Sequence, residues 1–142
     1  MKIDPELKDK FDILLKNRVG TLDTSLGIEF IEIGKSKLVA SMPVTKNNKQ
    51  PFGLLHGGAS VALAESLASL GAWLNVDETK FNIVGIEINA NHLKAVRDGV
   101  VTGVATPIRI GNTLQVWEVI LKDSSGDKTC ISRCSLLKVA IK

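Results

Sequence analysis

The order of apolar and polar positions divides the chain into a helical opening, a β-hairpin, one long apolar helix and a β-rich remainder. From Pro5 to Lys16, residues Leu7, Phe11, Leu14 and Leu15 fall near helical spacing, which predicts a short amphipathic helix. Asp4 before Pro5 suits an N-cap followed by proline at the first helical position. Ile28, Phe30 and Ile33 mark a first strand and Leu38 to Met42 a second, with Gly34-Lys35-Ser36 as the turn between them. A polar stretch, Thr45 to Lys49, leads into the loop Gln50-Pro51-Phe52-Gly53.

From Gly58 to Leu74 the chain is rich in Ala, Leu and Ser and lacks proline, which predicts one helix of about five turns. It is apolar around most of its girth, the mark of a buried helix. After Asp77-Glu78-Thr79-Lys80 the pattern is β to the end. Asn82 to Asn91 alternates, with Ile86, Ile88 and Ala90 on one face. Val100 to Ile110 and Leu114 to Lys122 are two further strands around Gly111-Asn112, and Ser124-Ser125-Gly126-Asp127 turns the chain into Thr129 to Ile141. These late strands exceed the usual five or six residues. Long antiparallel strands and one buried helix predict a single α+β domain, a sheet wrapped over that helix.

Composition narrows the function classes. The 142 residues are 44% hydrophobic and 23% charged, near the average for a soluble globular domain. The net charge of +3, with 4% aromatics and no Tyr, argues against a nucleic-acid partner. The first ten residues hold no apolar run after a basic start, and the most apolar stretch, Leu54 to Val76, carries Glu65 near its centre. A carboxylate there is costly in lipid, so the expectation is a cytoplasmic protein without a membrane span. Cys130 and Cys134 stand four apart in a strand, about 13 Å, and cannot bridge within it; both are expected to be reduced thiols. His56 and His92 are the only histidines, and no metal-ligand pattern surrounds them.

Glu65 is the only charged residue between Pro51 and Val76. A lone carboxylate in a buried helix is partnered, protonated or functional. Ser69, four residues on, shares its helical face and serves either to bond the carboxylate or a water, or simply to pack closely. His56-Gly57-Gly58 lies at the helix start, where the first N–H groups have no internal acceptor and the dipole favours negative charge. There Gly57 N–H can hold a carbonyl whose oxygen gains charge, or the glycines can merely turn the chain. Gly57 and Glu65 are eight residues apart, about 12 Å along one helix. If both act on one carbonyl, they come from different chains, and the protein is an obligate dimer. Each site then pairs Glu65 of one subunit with Gln50, His56 and Gly57 of the other.

The run from Gln50 through His56-Gly57-Gly58 to Glu65-Ser66 closely resembles a motif of bacterial hotdog-fold thioesterases. The branch it is similar to hydrolyses aromatic acyl-CoA, such as 1,4-dihydroxy-2-naphthoyl-CoA of menaquinone synthesis, and a sister group clears mischarged aryl carrier proteins in enterobactin synthesis. Val84 to His92 and Gln115-Val116-Trp117 resemble the same branch, and the likeness spans about residues 20 to 140. The resemblance implies a hotdog fold, a dimer of dimers, no metal and no cofactor beyond the CoA of the substrate. It implies Glu65 as nucleophile or general base, Gly57 N–H on the thioester carbonyl, Gln50 and His56 as positioning groups, and Ser69 assisting the water. It implies substrate contacts at Gly85, at His92, Leu93, Lys94 and Ala95, and at Arg109, Ile110, Gly111, Asn112, Thr113 and Leu114. Lys94 and Arg109 suit the phosphates of a CoA tail. Leu93 and Ala95 stand where the branch commonly has Val and Ser.

The reaction expected is hydrolysis of an acyl-CoA or acyl-carrier-protein thioester to a free acid and a thiol. Two other readings keep the fold: a hydratase that pairs His56 with Glu65 for proton transfer, and a non-catalytic module that only binds acyl-CoA.

Overall fold

A computed structural model describes residues 1–142. Its elements are β1 (Lys2–Ile3), α1 (Lys8–Lys16), α2 (Leu22–Ser25), β2 (Glu29–Ile33), β3 (Leu38–Pro43), α3 (Gly57–Leu74), β4 (Phe81–His92), β5 (Val100–Ile110), β6 (Leu114–Lys122) and β7 (Lys128–Ala140). Seven strands form one sheet in the order β1-β2-β3-β5-β6-β7-β4. All pairings are antiparallel except β1 with β2. The sheet curls around α3, which touches β3 through β7. This is the expected α+β wrap, a hotdog fold.

The inner face is built by period-two alternation. On β6, Gln115, Trp117, Val119 and Leu121 are all buried while their neighbours are not. The same holds for Val101, Gly103 and Ala105 on β5. Against them α3 presents Ala64, Ala68, Gly71 and Ala72, small residues that let the helix lie close, and Leu67, which fills the space beside Gly103. A Cβ on Gly71 would stand 2.7 Å from the Trp117 ring. Gln115, 1% exposed, spans the layers: its amide donates to the Ala72 carbonyl at 3.1 Å and accepts from Trp117 Nε1 at 3.0 Å. Those bonds satisfy the buried polar groups in the helix–sheet seam.

Four local expectations change. The first helix opens as a 3-10 turn, Pro5–Leu7, before α1, and Asp4 supplies no side-chain cap. Instead the Asp4 carboxylate turns towards Gly34, while its backbone N–H donates to Ile33 across the β1–β2 junction. The polar stretch after Thr45 is a 3-10 turn held by a Thr45–Asn48 capping box. On β4 the register against β7 slips between Gly85 and Glu87, so Ile86 is a one-residue bulge. Ile88 and Ala90 pack on the core, but Ile86 is 55% exposed and does not share their face.

The fourth change concerns α3 itself. It is buried only on the side the sheet wraps; Glu65 is exposed and Ala62, Ser66, Ser69 and Trp73 are partly so. The helix is apolar beyond what one chain covers. β4 is likewise open: it ends the sheet, pairs only with β7, and exposes Val84 and Ile86.

Candidate active site

The sequence-predicted residues gather in two separate places. At the start of α3, His56 is the N-cap, with extended backbone and Nδ1 accepting from Gly58 N–H at 2.8 Å. That bond leaves the other ring nitrogen, Nε2, to carry the proton of a neutral imidazole. Gly57 is the first helical residue, so its N–H has no acceptor within the helix. The ring of His92 lies over it: a Cβ on Gly57 would come 2.9 Å from Nε2. Gln50 closes the preceding loop with its side-chain oxygen, which accepts from Phe52 N–H at 2.5 Å and Leu54 N–H at 3.5 Å. Its NH2 group remains free to donate outward. A pocket of about 380 Å³ joins Gln50, Gly57, His92, Leu93, Lys94 and Ala95 with Thr129. The sequence reading missed Thr129, whose hydroxyl is buried without a partner, because a lone threonine in a strand carries no pattern.

Glu65 lines a different pocket, of about 670 Å³, between α3, α1 and the segment that follows α1. Ser69 lies on the same wall, as helical spacing requires. Ile13, Leu14, Phe30, Leu70, Trp73 and Ile83 make it apolar. The carboxylate makes no ion pair. Gly85 passes beside it, and a Cβ there would stand 3.2 Å from Oε1. On the buried side of the sheet, burial pushes the Cys134 thiol up to about 11, and the negative charges of Glu65 and Glu87 add to that. Cys130 and Cys134 are both free and buried.

The remaining predicted contacts fall at opposite ends of the sheet. His92 pairs with Cys130, whereas Leu114 pairs with Leu137 and Gly85 with Leu136. Six residues of strand separate those levels, about 20 Å. The Arg109–Leu114 hairpin therefore belongs to the Gly85 and Glu65 end, and His92–Ala95 to the Gly57 end. Lys94 is held between Asp123 and Asp127, at 2.6 and 2.7 Å. Those hydrogen bonds raise its pKa, and Lys94 in turn holds the Asp123 carboxyl below the ordinary range. Arg109 makes no ion pair. No group of three or more His, Cys, Asp or Glu side chains is placed to hold a metal ion, and no helix is long and apolar enough to cross a membrane.

An accessible carboxylate in an apolar pocket, and a helix N-terminus with free donors in another, suit attack on a polarised carbonyl. Comparison with known proteins agrees. The Thioesterase superfamily profile matches residues 52–130, from the loop before α3 into β7. The 1,4-dihydroxy-2-naphthoyl-CoA hydrolase of Escherichia coli is 49% identical over 117 residues, 82% of each chain. The proofreading thioesterase EntH of Cronobacter turicensis is 47% identical over 117 residues, 82% of this chain and 85% of its own. A crystal structure of a variant of thioesterase PA1618 from Pseudomonas aeruginosa superposes with a TM-score of 0.88 at 43% identity, covering 92% of this chain and 94% of that one. The chain belongs to the thioesterase superfamily, as a thioester hydrolase of the hotdog fold.

Proposed function

We propose that the protein hydrolyses an aromatic acyl-CoA, of the 1,4-dihydroxy-2-naphthoyl or benzoyl type, at sites shared between two copies of the chain. The observation that carries this reading is the separation of Glu65 from Gly57 into two pockets about 12 Å apart along α3. One glutamate side chain does not reach across that distance. The open β4 edge supplies the remedy. A second copy pairing antiparallel along β4 about a two-fold axis near its middle sets His92 of one copy level with Phe81 or Asn82 of the other. Gly57, under the His92 ring, then approaches Asn82, Ile83 and the carboxylate of Glu65. The same contact covers Val84, Ile86 and the open face of α3. A dimer of dimers, as the resemblance implies, repeats this unit.

In such a site Gly57 N–H and the Gln50 amide donate to the thioester carbonyl, and the dipole of α3 favours the charge that builds on its oxygen. His56 caps the helix and presents Nε2–H beside the carbonyl. Glu65 either attacks the carbonyl, expelling the thiolate and leaving a mixed anhydride that water cleaves, or takes a proton from a water that attacks directly. Ser69 orients that water. Oxygen-18 in a single turnover separates the two routes, because covalent attack first delivers an enzyme oxygen to the acid. The two buried free thiols agree with a reducing, cytoplasmic setting. Support for the aryl-CoA class comes from the names of the relatives and from the apolar lining of the Glu65 pocket.

The test is a panel of aryl-CoA, alkyl-CoA and carrier-protein thioesters with the wild type, Glu65→Gln and Glu65→Ala. Both variants are expected to lose at least about 10²-fold in kcat. Their melting temperatures should hold, since the carboxylate pairs with no cation in the chain. Substantial turnover in both variants refutes the assignment.

A further inference from the structure

We infer that the Thr129 hydroxyl holds the amide that lies beyond the sulfur of the thioester, and so positions the thiol half of the substrate. The inference rests on the hydrolytic reading above and adds a residue that reads the thiol rather than the acid.

Thr129 reaches its place through an irregularity in β7. Leu121 pairs with Cys130 and Lys122 with Lys128, so Thr129 is an extra residue with no partner on β6. Such a bulge turns inward a side chain that regular alternation sends to the other face. Thr129 and Cys130 are therefore adjacent yet both buried, at 3% and 0% exposure. The Thr129 carbonyl accepts from Leu93 N–H at 2.8 Å, which fixes the residue beside the His92–Ala95 segment. Its hydroxyl has no partner in the chain. Buried hydroxyls are nearly always bonded, and valine would fill the same space with no polar atom to satisfy. Packing alone gives no reason for the oxygen.

The open space that Thr129 borders is the Gly57 pocket, which it shares with Gln50, His92 and Ala95. A sphere of that pocket's 380 Å³ is about 9 Å across, so a group two methylenes beyond a sulfur at Gly57 falls inside it. With the acyl group in the apolar Glu65 pocket and the thioester carbonyl on Gly57 N–H, the thiol half belongs here. CoA and acyl-carrier proteins present the same thiol arm: two methylenes, then a secondary amide with one N–H and one C=O. A hydroxyl meets either group, as acceptor or as donor. Turning about χ1 exchanges the hydroxyl with the methyl, so the oxygen sheltered in the free chain faces the amide when it arrives. Gln50 and Gly57 then grip the carbonyl while Thr129 holds the arm, which fixes the line of the bond to be broken.

The experiment joins benzoate to three thiols: CoA, N-acetylcysteamine, which keeps the first amide, and butanethiol, which has none. Thr129→Val should lower kcat/KM by about 3- to 10-fold for the first two, the effect of one neutral hydrogen bond, and leave the butyl thioester unchanged. Thr129→Ser, which keeps the hydroxyl, should recover most of the loss. Thr129→Ala carries the comparison if Thr129→Val does not fold. An equal loss on all three thioesters marks a structural role and overturns the inference, as does a wild-type rate on all three. The same comparison, made as affinity by calorimetry on Glu65→Gln protein with and without Thr129→Val, reads the pocket without turnover. If no thioester is hydrolysed while Thr129→Val still weakens binding of the amide-bearing thioesters alone, the hydrolytic reading fails and the assignment of Thr129 stands.

Discussion

A shared site makes an arithmetic prediction about mixed dimers. The two groups to separate are Glu65, removed as Glu65→Gln, and Gly57 N–H, removed as Gly57→Pro. Proline is tolerated at the first helical position, because the N–H it lacks has no partner in the helix. His56 already has φ −65° and ψ 130°, the extended geometry the residue before proline requires. The added ring approaches His92 Nε2, the end of an exposed side chain that can give way. Loss of one carbonyl donor should lower kcat by about 10² to 10³. Each variant homodimer is therefore nearly inactive. In a heterodimer of the two, one site receives intact Glu65 and intact Gly57, and the other receives neither. Purified through two different tags, it should show about half the wild-type activity per dimer. A heterodimer no more active than its parents would refute the reasoning, since both groups would then serve a site within one chain.

Two further outcomes follow from the fold. Ile86→Lys places a charge on the open β4 edge at a residue that one chain leaves 55% exposed; it should yield a folded, inactive monomer by circular dichroism and sedimentation velocity, and an active monomer would contradict the shared site. Gly71→Ala sets two small effects against each other: alanine favours the helix by about 1 kcal/mol, but its Cβ would stand 2.7 Å from Trp117 and 3.0 Å from Leu38, both fully buried. Overpacking of that kind costs about 1–3 kcal/mol, so urea denaturation should show a net loss of up to about 2 kcal/mol, and a stabilised variant would show the seam to be looser than described.

Long, strongly patterned segments were legible in the sequence: α3 and β4 to β7 lie within a residue or two of their expected bounds. The eight-residue interval between Gly57 and Glu65 was legible too, because helical rise is nearly invariant. What the pattern misjudged was exposure. An apolar helix reads as buried whether its own sheet or another chain covers it, so Glu65 was expected inside and is found on an open face. The Ile86 bulge escaped because periodicity assumes an unbroken ladder, and one extra residue reverses which side chains face inward. Strand β1 and helix α2 are too short for any period to show. Thr129 gave no signal at all; only the extra residue in β7 turns its side chain towards the Gly57 pocket.

The amide of Gln115 ties the sheet to the helix. It reaches from the sheet to the helix carbonyl of Ala72, seven residues beyond Glu65 and thus about 10 Å along the axis from it. Leu63, Leu67 and Gly71 interlock with the sheet by shape, whereas this bond adds a directed polar contact that a shift along the groove would break. That strut therefore helps to set the axial address of the acid, and drift at position 115 would first blur its aim and only later loosen the scaffold.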